Sequence, residues 1–110
     1  MMIKKLLDNP FNENIICRRT SNGPEANVPH IWRLHSPTGF AWGYGGSGPA
    51  DLALNILLLF VDKETAYQLH QKFKRDFIST MPFEGGVIKR DDILSWLKSY
   101  GVGDTRPASV

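Results

Sequence analysis

Apolar residues crowd most densely at residues 39–61 (GFAWGYGGSGPADLALNILLLFV), where an aromatic segment enters a glycine-rich turn that opens onto a hydrophobic run. Over 52–60 that run is apolar almost all round. Asp51 and Asn55, four residues apart and therefore on one side, are its polar interruptions. The pattern predicts a buried helix over 49–60 at the centre of the core. Pro49 suits a first helical turn, where its missing N–H has no intrahelical partner to lose. Gly48 or Ser47 is the expected N-cap, with Asp51 in the first turn complementing the helix dipole.

The flanking pattern is simpler. Residues 30–35 (HIWRLH) and 39–44 (GFAWGY) surround Ser36-Pro37-Thr38 and read as a hairpin over 30–44. Alternation puts Phe40, Trp42 and Tyr44 on one face. A two-residue loop would set Arg33 opposite Trp42 and His35 opposite Phe40, unless a bulge shifts the register. Residues 15–19 (IICRR) read as a short strand and 20–29 (TSNGPEANVP) as a surface loop. Asp62 is placed to cap a helix over 63–81, striped by Ala66, Leu69, Phe73 and Phe77 and ended by Pro82. A short strand within 83–89 precedes a last helix starting at Asp91 or Asp92 and stopped by Gly101. Met2, Ile3, Leu6 and Leu7 have helical spacing until Asn9-Pro10 breaks it.

Together these elements predict one α+β domain over 1–101 with its core motif at 30–61. A small antiparallel sheet containing the 30–44 hairpin packs on the 49–60 helix and two amphipathic helices, and 102–110 form a flexible tail. A chain of 110 residues has room for one such domain. The net charge of +2 gives little support to a dedicated nucleic-acid binder. The single cysteine, Cys17, rules out an internal disulfide and a cysteine zinc site, and fits a reducing cytoplasm. The lysines and aspartate of MMIKKLLDNP break up the apolar stretch an export signal needs. The 52–61 run is about half a membrane span. No cofactor and no metal site is expected.

Candidate chemistry gathers at the turn. Gly45, Gly46, Ser47 and Gly48 expose backbone N–H donors at a helix N-terminus, which is an anion pocket in outline. Trp42 and Tyr44 enter it from the predicted strand as stacking groups, and Arg33 would add a charged contact. The spacing is neither a phosphate-loop nor a dinucleotide fingerprint, and Asp51 would compete with an anion for the same donors. Glycines here also serve a sharp strand-to-helix turn with no ligand at all. Asp51 and Asn55 either orient a ligand or cap the helix and bond a neighbouring loop. His30, His35 and His70 lack further ligands at metal spacing. No catalytic set assembles; Asp51 or His35 would be the general base if one exists. Lys72, Lys74 and Arg75 form a basic face that either meets a partner or is simply solvated.

The stretch SPTGFAWGYGGSGPADLALNIL, residues 36–57, resembles the signature of a family of short, uncharacterised bacterial, phage and plasmid proteins, a "domain of unknown function". AYQLHQKFKRDFI and ILSWLKS extend the resemblance over residues 30–99. The resemblance implies a mobile-element setting, where small proteins often act by binding. The leading expectation is thus a non-enzymatic binding protein, with anti-defence as one use, that takes a nucleotide or other phosphorylated ligand at the glycine turn. The alternatives are an anti-CRISPR-like inhibitor of a host protein, with the turn purely architectural, and an enzyme acting on nucleotides or nucleic acid.

Overall fold

The computed structural model describes residues 6–103. Its sheet has three antiparallel strands, β1 (Ile15–Thr20), β2 (Gly23–Ala26) and β3 (Gly85–Ile88), in the order β2-β1-β3. Three helices complete it: α1 (Ser47–Leu57), α2 (Lys63–Phe73) and α3 (Arg90–Ser99), with a π-helical turn at Lys74–Ile78 continuing α2. The α+β class with a small antiparallel sheet is as the sequence predicts; the strands come from other residues.

The 30–44 segment contains no strand. Its backbone donors are taken instead by α1: Asn55 Oδ1 accepts from Ile31 N and Trp32 N, and the Asp51 carboxylate accepts from His35 N and Ser36 N. Donors spent on side chains are not free to build a ladder. The sheet's hairpin lies at β1–β2: β1 falls on the predicted 15–19 strand, while its turn and β2 lie in the 20–29 region whose polar composition predicted a loop. Its two-residue turn, Ser21-Asn22, joins the paired Thr20 and Gly23. Thr20 Oγ1 donates to Gly23 O and accepts from Asn22 N, both at 3.1 Å. Ile15 and Cys17 face the core from β1 while Ile16 and Arg18 face out, and Ile15 pairs with Ile88 of β3.

Helix α1 occupies the centre as expected. Every residue from Gly48 to Leu57 is buried, and Ser47 alone is exposed. Each fully buried Leu or Ile contributes about 1.5–3 kcal/mol, so this helix dominates the core energetics. The helix begins two residues earlier than predicted, at an N-cap of Gly46, which places Asp51 beyond the first turn. Asp62 does cap α2, accepting from Thr65 N at 3.2 Å. The predicted 63–81 helix stops being α-helical after Phe73: Ser79 N reaches back five residues to Lys74 O at 2.8 Å. In the widened turn Phe73 and Phe77 both pack on Trp96 of α3, with ring centroids 5.1 and 6.1 Å away. Pro82 lacks the N–H that would take Ile78 O, and Gly43 N and Met81 N take that carbonyl instead at 3.0 and 3.2 Å.

Both ends of the described region pack against the core. Leu6 bridges to Val61, and Phe11 N donates to Leu59 O, so Leu6 and Leu7 are not in the helix their spacing predicts. Met2 and Ile3 lie outside the described residues. Gly101 follows the α3 C-cap as predicted. Val102, assigned by sequence to the tail, is buried and donates its N–H to Leu97 O, and Gly103 O accepts from Leu6 N. Residues 104–110 are outside the described region. Among the described residues, no helix is long and apolar enough to cross a membrane.

Candidate functional site

Two sets of polar groups meet α1, and the structure uses them in opposite ways. The first is the pair Asp51 and Asn55. Both are fully buried, and both are spent on the 30–36 loop. Asn55 accepts from Ile31 N and Trp32 N at 2.8 and 2.9 Å and donates through Nδ2 to Trp32 O and Asp51 O. Asp51 accepts from His35 N at 2.8 Å and from Ser36 N and His30 Nε2–H at 3.0 Å. Arg33 donates to His30 Nδ1 and to Pro37 O, which fixes the His30 ring with Nε2–H aimed at Asp51. Of the two roles open to Asp51 and Asn55, the structure gives them the loop-bonding one. Arg33 is committed to the same loop, and the expected pairings of Arg33 with Trp42 and His35 with Phe40 do not form.

His35 and His70 meet across the loop and α2. Their Nε2 atoms are 3.0 Å apart while the ring centroids are 5.1 Å apart, so the rings meet tip to tip rather than face to face. His70 Nδ1–H donates to Tyr67 O, leaving its Nε2 as acceptor and His35 Nε2–H as donor. Burial pulls the His70 pKa below its ordinary 6.5. His35 and Lys74 act in the same direction; the Tyr67 carbonyl and Asp51 oppose them. Among the described residues, no three His, Cys, Asp or Glu side chains converge to hold a metal ion. Cys17 is buried and its thiol is pushed up to about 12, which makes it a packing residue with no nucleophilic character.

The second set is the glycine turn. Gly45 and Ser47 are exposed, Tyr44 is 55% exposed, and no side chain caps the N-terminus of α1. A Cβ on Gly46 would collide with the Tyr44 ring, so that ring lies directly across the Gly46 backbone. A Cβ on Gly48 would sit 2.8 Å from Ala41 Cβ and 3.2 Å from Ala41 N, so this glycine lets the helix approach the 39–41 segment. Gly48 is thus a packing residue, while Gly45, Gly46 and Ser47 carry the open donors. Trp42 is 1% exposed; its indole N–H donates to Phe83 O at 3.0 Å, and it offers no stacking face to a ligand. The aromatic at the turn is Tyr44 alone.

The basic face divides as well. Lys72 and Arg75 are exposed and Lys74 is half-buried within the π turn. Arg75 is paired with Asp76 at 3.0 Å, and Asp76 also accepts from Trp96 Nε1–H, which with Arg75 holds its carboxyl below the usual range. Sequence reasoning passed over Arg19 and Phe83. The Arg19 guanidinium lies 3.7 Å over the Phe83 ring and 5.4 Å from Trp42, with Nε–H donating to Phe83 O at 2.8 Å. A cation at a strand end and an aromatic after Pro82 gave no local sign of meeting.

Comparisons with curated proteins and with solved structures give no match. The model of one family of unknown function does match, over residues 11–99, reaching further toward the N-terminus than the motifs that carry the resemblance. With most of its length matched, β1 through α3 included, this chain belongs to that family, the family of unknown function DUF6166.

Proposed function

We propose that the protein is a small non-enzymatic binding protein whose site is the open N-terminus of α1, taking the phosphate of a small phosphorylated ligand. One observation carries this reading: α1 is buried along its whole length except at Ser47, where its uncapped end reaches the surface. The aligned peptide dipoles of a helix concentrate about half a positive charge at that end. The N–H groups of Gly45, Gly46 and Ser47 line it, the Ser47 hydroxyl adds a donor, and Tyr44 shields one side. Asp51, the sequence's main objection, is turned to the 30–36 loop and does not occupy these donors. A cytoplasmic role in a phage or plasmid setting, such as removing a phosphorylated signal used in host defence, rests on the resemblance and belongs to the same proposal.

Ser47→Glu is the decisive variant. A carboxylate at the first helical position suits the dipole and preserves or raises stability, yet fills the anion site. A nucleotide and sugar-phosphate panel should raise the melting temperature of the native chain in proportion to ligand concentration and leave S47E unmoved. Equal shifts in both proteins, or none in the native chain, sink the proposal.

A second reading, inhibition of a host protein, draws on a different surface. Ile31 and Tyr67 are 67% and 53% exposed, and Tyr67 stacks on Trp32 with Lys63 over the indole. An exposed aromatic and aliphatic cluster of this kind is typical of protein contact surfaces. Host-protein capture that is lost in Ile31→Asp and kept in S47E would favour it.

A further inference from the structure

We propose that Phe83, backed by Arg19, is a stacking platform for a nucleobase, which makes the ligand of the α1 site a nucleoside phosphate. The inference rests on the α1 reading above and extends it. Phe83 is 67% exposed although an arginine covers one of its faces. That arginine is held in place from three directions: its Nε–H bonds Phe83 O, its backbone N–H bonds Glu84 O at 3.3 Å, and its guanidinium also borders the buried Trp42 ring. Among the described residues, no carboxylate lies within ion-pair distance of it. A guanidinium on one face of an aromatic ring draws on its π-electrons and leaves the other face for an electron-rich planar group. A free planar face beside a fixed cation is what a purine ring stacks on, and sequence-tolerant stacking of this kind is strong in water.

The platform and the glycine turn lie on one ledge. The 42–45 segment runs along the 78–83 turn: Trp42 Nε1–H bonds Phe83 O at one end and Gly43 N bonds Ile78 O. At the other end, a Cβ on Gly45 would lie 3.9 Å from Ser79 Oγ. Trp42 and Gly45 are three positions apart in the chain, which limits their Cα separation to about 11 Å. In the proposed pose a nucleoside di- or triphosphate rests its base on Phe83 and its terminal phosphates on the α1 N-terminus. A bare sugar phosphate or inorganic phosphate engages only the second.

The experiment titrates the full chain, amide- and guanidinium-labelled with nitrogen-15, with ADP, ribose 5-phosphate and inorganic phosphate. ADP should move the Phe83 amide and Arg19 Nε signals together with those of Gly45–Ser47, and bind about tenfold tighter than ribose 5-phosphate. Phe83→Ala should remove that tenfold advantage, and Phe83→Trp should restore it. Arg19→Lys, which keeps the charge and loses the planar stack, should weaken ADP and leave ribose 5-phosphate unchanged. Because the Phe83 side chain is exposed, its variants should keep the native amide spectrum, and the Phe83→Trp rescue separates stacking from misfolding. If ADP and ribose 5-phosphate bind equally and move only the turn, the platform is wrong and the α1 site stands. If ADP moves only Phe83 and Arg19, the α1 site is wrong. If no signal moves with any of the three, both are wrong.

Discussion

The two ends of α1's polar story differ in one respect: the Asp51–Asn55 pair faces inward and is saturated, whereas the Gly45–Ser47 turn faces outward and is open. Along the sequence the turn read either as an anion pocket or as a sharp strand-to-helix bend, and the pair either as ligand-orienting groups or as caps bonded to a neighbouring loop. In the fold, the pair staples an irregular loop to the core helix, and its bonds to the N–H groups of Ile31, Trp32, His35 and Ser36 take donors a strand would have used. The turn has no such internal partner. A buried polar side chain with all its bonds made is scaffold, and an exposed set of backbone donors at a helix end is where a ligand has something to gain.

That contrast breaks most visibly at Asn55. Asn55→Ala leaves two loop N–H groups and a carbonyl without partners, at roughly 1–3 kcal/mol each for those that stay buried, so urea unfolding should show a loss of about 3 kcal/mol or more. Asn55→Asp is nearly isosteric and should be as damaging, because a second carboxylate oxygen would face Trp32 O and Asp51 O in place of the amide donor. A loss under about 0.5 kcal/mol in either would mean the loop is held some other way.

Next in size is Gly48→Ala. Alanine favours a helix interior by about 1 kcal/mol over glycine. Here the Cβ would meet Ala41 Cβ at 2.8 Å, and overpacking of this kind costs about 1–3 kcal/mol. The expected net is destabilisation of about 1 kcal/mol in the same unfolding assay. Gly46→Ala should cost less, since the obstacle is the movable ring of Tyr44, and the Tyr44→Ala background should absorb most of it. If Gly46→Ala proves the worse of the two, the outward-facing part of the turn is architectural too.

A smaller effect concerns acid. His70 binds its proton less readily in the folded chain than in the unfolded one, so the unfolded state gains protons first as pH falls. Its contribution to stability is therefore complete above 6.5 and declines below that, toward the lowered folded value. Protonating His70 at Nε2 removes the acceptor of the His35 Nε2–H bond. Denaturant midpoints from pH 7.5 to 4.5 should fall less steeply in His70→Gln than in the native chain. An unchanged slope would show that the tip-to-tip contact carries no linkage. Smallest of all, Lys72→Ala and Arg75→Ala should leave stability unchanged, because both side chains are exposed.

Much of the framework was legible in advance. Strong period and clear caps gave the buried helix, the Asp62 cap, the β1 strand, the Gly101 stop and the central place of α1, because those signals act within a few residues. The hairpin at 30–44 failed for a non-local reason: the alternation and the Ser-Pro turn were real, but the donors were claimed by Asp51 and Asn55 from a helix some twenty residues on. Strand β2 was missed because GPEA is short and polar and owes its pairing to β1 rather than to its own pattern. The same distance effect decided the site. Trp42 and Tyr44 are alike in sequence and two residues apart, and only packing put one in the core and the other over the turn.

By itself, then, the sequence determined the α+β class, the buried helix, the position of the glycine turn and the family, since these rest on hydrophobic period, capping chemistry and a contiguous motif. Tertiary structure alone decided which polar residues are spent on scaffold and which remain open. It also brought Arg19 to Phe83, 64 residues apart in the chain. The physical reason is that a hydrogen-bond donor or a ring face is available only if nothing distant in sequence has already taken it, and that accounting closes only in three dimensions.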